Sequence, residues 1–184
     1  NTLDGLGSDG PLGDALYGLG GNDRLIVRDL PAMIDGGDGT DTMVAAAGAD
    51  IAFATGTVVD VEIVSLLAGA SVDLSALATP FRITSSNDAT IVATNGDDRI
   101  VFSAGDHVVT AGGGTDVIFA GTGADTFIFD EGFGRDRIYR IDAANDHLDL
   151  SALGLNLADL TVRTTANGLD TVIYATDNTA DSVV

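Results

Sequence analysis

From residue 84 to residue 128 a large apolar side chain returns every ninth position, as Ile91, Ile100, Val109, Ile118 and Phe127. The intervening residues are rich in Gly, Asp, Ser and Thr, the composition of tight turns. The pattern predicts five short strands in one frame, over 84–92, 93–101, 102–110, 111–119 and 120–128, each led in by a turn. The sixth position of each unit reads Ala89, Asp98, His107, Asp116 and Asp125. The apolar column is complete and the aspartate column is not. Forming a core and placing a carboxylate are therefore separable duties of the repeat.

An earlier block has the same texture. Gly36-Gly37-Asp38-Gly39-Thr40-Asp41-Thr42-Met43-Val44 fits the nonapeptide GGxGxDxUx at every position, where U is a large apolar residue. Eighteen residues earlier, Gly18-Leu19-Gly20-Gly21-Asn22-Asp23-Arg24-Leu25-Ile26 has Gly, Asp and Leu at corresponding places. Between the blocks, over about 54–83, Val58 to Leu66 and Ser71 to Leu74 read as strands, punctuated by Gly56, Gly69 and Thr79-Pro80. Apolar centres near Val64, Leu74, Ile83 and Ile91 continue the spacing, so this stretch is expected to be the same solenoid with ligand-poor turns. A small β domain inserted between two rolls is the other reading.

Past Glu131 the texture changes. Gly134, Asp136 and Ile138 give a last echo of the repeat, and Asp146-His147-Leu148-Asp149-Leu150 follows. Val162 to Thr165 and Thr171 to Ala175, joined across Asn167-Gly168, predict a β-hairpin. A solenoid needs such a closing element, because its last coil otherwise exposes apolar side chains and a strand edge. The expected fold is all-β: a right-handed parallel β-roll (β-solenoid) over 1–130 and a C-terminal capping segment over 131–184. Asn1 to Gly5 looks like the tail of a repeat, and Pro11 with the uneven spacing before Leu16 predicts a local insertion.

Composition narrows the function. There are 28 acids against 8 basic residues, a formal charge of −20, and only Glu62 and Glu131 are glutamates. A bias towards aspartate belongs to turns, where a short carboxylate reaches nearby backbone or a metal held by the loop. With no lysine and few arginines the chain is a poor match for nucleic acid or an anionic membrane. Hydrophobic residues make up 45%, too many for an obligately disordered acidic tail, so a conditional fold is expected. There is no cysteine, no apolar run long enough to span a bilayer and no N-terminal signal-peptide pattern. No nucleophile elbow, phosphate loop or dinucleotide fingerprint is present, which predicts a protein that is not an enzyme.

The repeat has its own chemistry. Two nonapeptides make one coil, so turns eighteen residues apart stack. Glycines let carbonyls converge there, and the aspartate adds charge. Calcium takes about 6–8 hard oxygens at about 2.3–2.6 Å, a set that two stacked turns can supply. The expected ligand turns contain Gly18, Gly20 and Asp23; Gly36, Gly37, Gly39 and Asp41; Asn95 and Asp98; Gly112, Gly114 and Asp116; and Gly121, Gly123 and Asp125. Asp23 should pair with Asp41 and Asp98 with Asp116, while Asp125 over His107 gives a weaker site, and Asp136 is placed to close a last one with Asp116. Asp14 and Asp50 flank Ala32 by one coil and lack partners. Asp4, Asp9, Asp29, Asp60 and Asp73 are expected to be solvated or capping. His107 and His147 are expected on the surface or in turns, with no zinc pattern.

These residues resemble the repeats-in-toxin (RTX), or haemolysin-type, calcium-binding family over 16–53 and 84–128. Residues from Thr126-Phe127-Ile128-Phe129 through Leu153 look like the segment that ends many such domains. The resemblance implies several bound Ca2+ ions, a type I exporter as partner, a secreted, extracellular or cell-surface location, and a module that folds on export to stabilise an extracellular protein. Its family's terminal acid-plus-apolar pattern is only partly met by Asp181-Ser182-Val183-Val184. Copies of the chain itself or an upstream domain are the further partners expected, and a calcium-dependent subunit of a surface layer or filament is the alternative function.

Overall fold

The computed structural model describes residues 1–5, 15–154, 160–164, 171–175 and 182–183. The strands are β1 (Thr2–Asp4), β2 (Ala15–Tyr17), β3 (Arg24–Val27), β4 (Met33–Asp35), β5 (Thr42–Ala45), β6 (Asp50–Ala52) and β7 (Val58–Val59). Then come β8 (Ile63–Leu66), β9 (Ala70–Asp73), β10 (Arg82–Ser85), β11 (Ala89–Val92), β12 (Arg99–Phe102), β13 (His107–Thr110) and β14 (Val117–Phe119). The chain continues through β15 (Thr126–Ile128), β16 (Arg135–Tyr139), β17 (His147–Asp149), β18 (Leu160–Thr164), β19 (Thr171–Ala175) and β20 (Ser182–Val183).

Strands of two to five residues with period-two burial are what the xUx triplets dictate: the central apolar residue points in and its neighbours out. Stacked in register, they form a parallel β-solenoid. One side is a sheet running β1-β3-β5-β8-β10-β12-β14-β16, all parallel. Its inward ladder is Leu3, Leu25, Met43, Val64, Ile83, Ile100, Ile118 and Ile138. This ladder passes straight through 54–83, so the ligand-poor middle shares the coil of its neighbours.

The other side is built in two pieces. The first sheet is β2-β4-β7 and the second β6-β9-β11-β13-β15-β17, again parallel throughout. They overlap in the coil that begins at β5, which alone among the described coils has three strands, β5, β6 and β7. Met43 and Val64 are stacked neighbours twenty-one residues apart instead of eighteen, and the extra length forms the third strand. This corrects the expected column Asp14, Ala32, Asp50. Ile34 stacks on Val58, not on Ile51, so exposed Asp50 is not one coil above Ala32. Asp9, Pro11 and Asp14 lie outside the described residues.

The core is the space between the sides, filled by Leu25, Ile34, Met43, Ile51, Ile83, Ile91, Ile100, Phe102, Phe127 and Phe129, all under 5% exposed. Parallel pairing continues past residue 130, since β16 stacks on β14 and β17 on β15. Beyond it, β18 and β19 pair antiparallel, with Leu160 opposite Ala175, and β20 joins β19 antiparallel and β16 parallel. The expected Asn167-Gly168 connection lies outside the described residues.

Candidate metal centre

Two edges join the sides. One holds turns 18–23, 36–41, 93–98, 111–116 and 130–136; the other holds 103–107, 120–125 and 140–146. Stacking places each acidic side chain under the backbone of the coil before it. Asp41 Oδ1 accepts the Asp23 N–H at 2.7 Å, Asp116 Oδ1 that of Asp98 at 2.7 Å, and Asp136 Oδ1 that of Asp116 at 3.0 Å. On the opposite edge Asp125 Oδ1 accepts from His107 N–H, and Asp146 Oδ1 from Asp125 N–H, each at 3.0 Å. One oxygen of each acid thus closes a turn.

The other oxygen is the informative one. Oδ2 of Asp41, Asp116 and Asp125 is buried and makes no hydrogen bond. A buried charged oxygen left unpaired costs several kcal/mol by order of magnitude, so a native site of this kind holds a cation or a proton. Asp23 is 3% exposed. The glycines make room around these atoms. A Cβ on Gly18 would collide with the Gly36 carbonyl oxygen and lie 3.0 Å from Asp23 Oδ2. One on Gly36 would collide with the Asp60 carbonyl and lie 2.7 Å from Asp41 Oδ2. Each glycine therefore lets a carboxylate and a carbonyl from the next coil converge on a spot too tight for any side chain. Gly37 and Gly39 adopt φ of +84° and +147°, and a Cβ on either would strike the backbone of the turn below.

Like charges stacked at coil spacing, about 4.8 Å, in a dry edge raise one another's proton affinity. Burial pushes the Asp116 carboxyl up to about 8; the Asp98 N–H opposes this, and the charges of Asp136 and Asp98 add to it. Asp98 is also raised by burial, against hydrogen bonds from Phe81 and Thr94.

The expected residues are placed as follows. Gly18, Gly20 and Asp23 stack directly on Gly36, Gly37, Gly39 and Asp41, with Gly20 bridging to Asp38. Asp98, Gly112, Gly114, Asp116 and Asp136 form one column on the same edge, and Gly121, Gly123 and Asp125 lie on the other. Asn95 is exposed at its turn. Asp98 differs from its neighbours, because both its oxygens are engaged. Oδ1 accepts the Phe81 N–H at 2.6 Å, and Oδ2 accepts from Thr94 N–H at 2.9 Å and Thr94 Oγ1 at 2.8 Å. Thr94 stands where the next coil has Gly112, and its hydroxyl occupies the carboxylate that the glycine turn leaves open.

His107 is corrected outright. It is 1% exposed, lies flat on Phe102 with ring centroids 3.8 Å apart, and its Nδ1 is 2.7 Å from Asp125 Oδ1. Period-two burial explains it, since the first residue of β13 points inward. His147 is exposed. As expected, Asp73 caps Ser75 through its N–H and hydroxyl, and Asp4 pairs with Arg28, which lowers the Asp4 carboxyl.

Several contributors carried no motif. Glu62 Oε2 accepts the Asp41 N–H at 2.8 Å, doing in the irregular coil what Asp41 does for Asp23. Asp146 does the same for Asp125. A second set of stitches comes from the fifth turn position: Asn22, Asp97 and Asp106 accept the N–H of Thr40, Thr115 and Ala124, at 2.8–3.1 Å. Asn or Asp at that position of the nonapeptide was the available signal.

Four copies of the RTX calcium-binding nonapeptide repeat are matched in this chain, at residues 10–27, 33–52, 92–127 and 103–138. The chain carries RTX repeats. The matched stretches contain both blocks of stacked aspartates and omit 53–91, where Phe81 and Ala89 take the ligand position. RTX nonapeptide repeats bind Ca2+, and they are structural rather than catalytic. The donor set fits that ion: hard carboxylate and carbonyl oxygens, with no thiol in the chain. No curated protein matches the chain in sequence.

Proposed function

We propose that this RTX roll is a calcium-triggered folding module of an exported protein, held by ions at the Asp23/Asp41 turns, the Asp98/Asp116/Asp136 turns and the Asp125 turn. The glycines of those turns supply room and carbonyls, and the aspartates supply charge. The observation that carries the reading is the buried, unpartnered second oxygen of Asp41, Asp116 and Asp125. Without a cation these carboxylates destabilise the coil, and chain entropy is left unopposed at the low calcium of a cytoplasm. In millimolar calcium, ion binding becomes folding free energy. Passage through a type I exporter as an unfolded chain, then folding outside, follows from that switch. Residues 131–184 act as the closing segment, with β16 and β17 adding a final coil beneath β18, β19 and β20. Circular dichroism in chelator and in millimolar calcium tests the switch: a β signal only with calcium supports it, and the same β signal in both refutes it.

A second reading, a self-assembling structural subunit, is favoured by the division of charge between the two sides. Exposed Arg24, Arg82, Arg99, Arg135 and Arg137 stand on the outer face of the continuous sheet, while Asp50, Asp73 and Asp149 stand on the outside of the opposite one. Copies stacked face to back would pair these charges. Sedimentation in calcium decides it: a species larger than the monomer that reverts when Arg82 and Arg99 become serine supports stacking, and a monomer at all concentrations removes it.

A further inference from the structure

We propose that the first calcium column extends one coil beyond its repeat motif, into a cation site formed by Asp41, the Asp60 carbonyl and Glu62. The inference rests on calcium occupying the motif turns. Two of its three ligands, Asp60 and Glu62, lie between 53 and 91, where no RTX repeat matches.

Two neighbouring interfaces are built alike. Between turns 18–23 and 36–41, the space beside Gly18 is bounded by Asp23 Oδ2 and the Gly36 carbonyl, and Asp41 Oδ1 holds the Asp23 N–H at 2.7 Å. Between turn 36–41 and the irregular loop above it, the space beside Gly36 is bounded by Asp41 Oδ2 and the Asp60 carbonyl, and Glu62 Oε2 holds the Asp41 N–H at 2.8 Å. The parts correspond one for one although the second loop has no GGxGxD. Asp60 substitutes for a glycine and Glu62 for the sixth-position aspartate, although the steps from Gly36 to Asp60 and from Asp41 to Glu62 span twenty-four and twenty-one residues instead of eighteen.

One observation points to a ligand. Asp41 is fully buried, and its Oδ2, which faces this space, has no hydrogen-bond partner. Asp60 adopts φ of +49°, a left-handed conformation that costs a residue with a Cβ on the order of 1–2 kcal/mol. That conformation presents its carbonyl to the Gly36 cradle. Carbonyl plus two carboxylates is a hard-oxygen set suited to calcium. Glu62 is at the rim and its carboxylate is longer by one methylene, so this site should be the weakest of its column and the first to empty as calcium falls.

Native mass spectrometry of the whole chain, titrated with calcium chloride, counts the ions. Glu62→Gln keeps an oxygen for the Asp41 N–H and removes the charge. It should bind one ion fewer than the unaltered chain at concentrations that fill the other sites. Were Glu62 only a cap on that N–H, the count would not change, and an unchanged count overturns the proposal. Asp60→Gly retains the carbonyl and relieves the left-handed residue, so it should keep the full count; loss of an ion there also overturns the geometry. Should Glu62→Gln fail to fold, Glu62→Asp provides the reading, with the ion retained but released at a higher free calcium concentration than in the unaltered chain; identical release overturns the assignment. Failure of the unaltered chain to bind calcium would instead sink the reading of the motif turns.

Discussion

Protons and calcium compete for the same buried carboxylates, and this gives a prediction of unusual sign. In chelator, lowering the pH from 8 to about 4.5 should raise the β content and stability of the chain. The Asp116 carboxyl is pushed up to about 8 in the folded roll, chiefly by burial, against about 3.9 when unfolded. A group whose folded value is raised binds more protons folded than unfolded between those limits. Its stabilisation is therefore complete below about pH 4 and is lost as the pH climbs towards 8. At about 1.4 kcal/mol for each tenfold, a rise from about 3.9 to about 8 in a dry site would approach 6 kcal/mol; solvent reaching the turn reduces this to on the order of 2 kcal/mol. Asp98, also raised, contributes in the same direction. Against a typical stability of about 5–15 kcal/mol, that is enough to shift the folded fraction visibly. The assay is far-ultraviolet circular dichroism with urea melts at several pH values in chelator, on the unaltered chain and on Asp116→Asn. The substitution removes the titrating group, so its melts should depend less on pH and it should be the more stable chain at pH 8. General relief of the −20 charge would act on both proteins alike. Equal pH slopes for the two, or a chelated chain that gains structure as pH rises, would refute the reasoning.

Gly37→Ala puts a Cβ into the Leu19 carbonyl at a φ of +84°, and should cost roughly 2–4 kcal/mol in a calcium-saturated thermal melt. Thr94→Gly removes the hydroxyl from Asp98 Oδ2 and leaves only the backbone N–H there, so isothermal calorimetry should find a stronger site at turn 93–98, while the chain in chelator becomes less stable by about 1 kcal/mol. His107→Ala removes a ring stacked on Phe102 and a partner of Asp125, and should cost about 2–4 kcal/mol in urea unfolding with calcium present; a change within about 0.5 kcal/mol would contradict its buried placement.

The apolar ladder was legible because inward residues of a parallel stack must repeat in register, and Ile91, Ile100, Val109, Ile118 and Phe127 do so without exception. The strong aspartates were legible for the same reason. Hidden from periodicity were the features that depend on the other coil's backbone. Thr94 satisfies Asp98 because a hydroxyl happens to lie beside it, and Glu62 joins the ladder only because its coil is three residues longer than eighteen. His107 looked like a defect in an aspartate column. Its ring instead fills core space, since the first position of its strand faces inward and Phe102 offers a flat surface. The stacking of Ile34 on Val58, twenty-four residues on, could not be read from a count of eighteen, because that coil carries a third strand.

The three-strand coil also bears on how the molecule carries load. Along one side, tension can pass from strand to strand through an unbroken series of backbone hydrogen bonds. On the other, β7 ends one series and β6 begins the next, so the solenoid is like a rope with one continuous fibre and one splice. Pulled from its ends, it should part first at the splice, leaving two shorter rolls, each still clamped by its own ions.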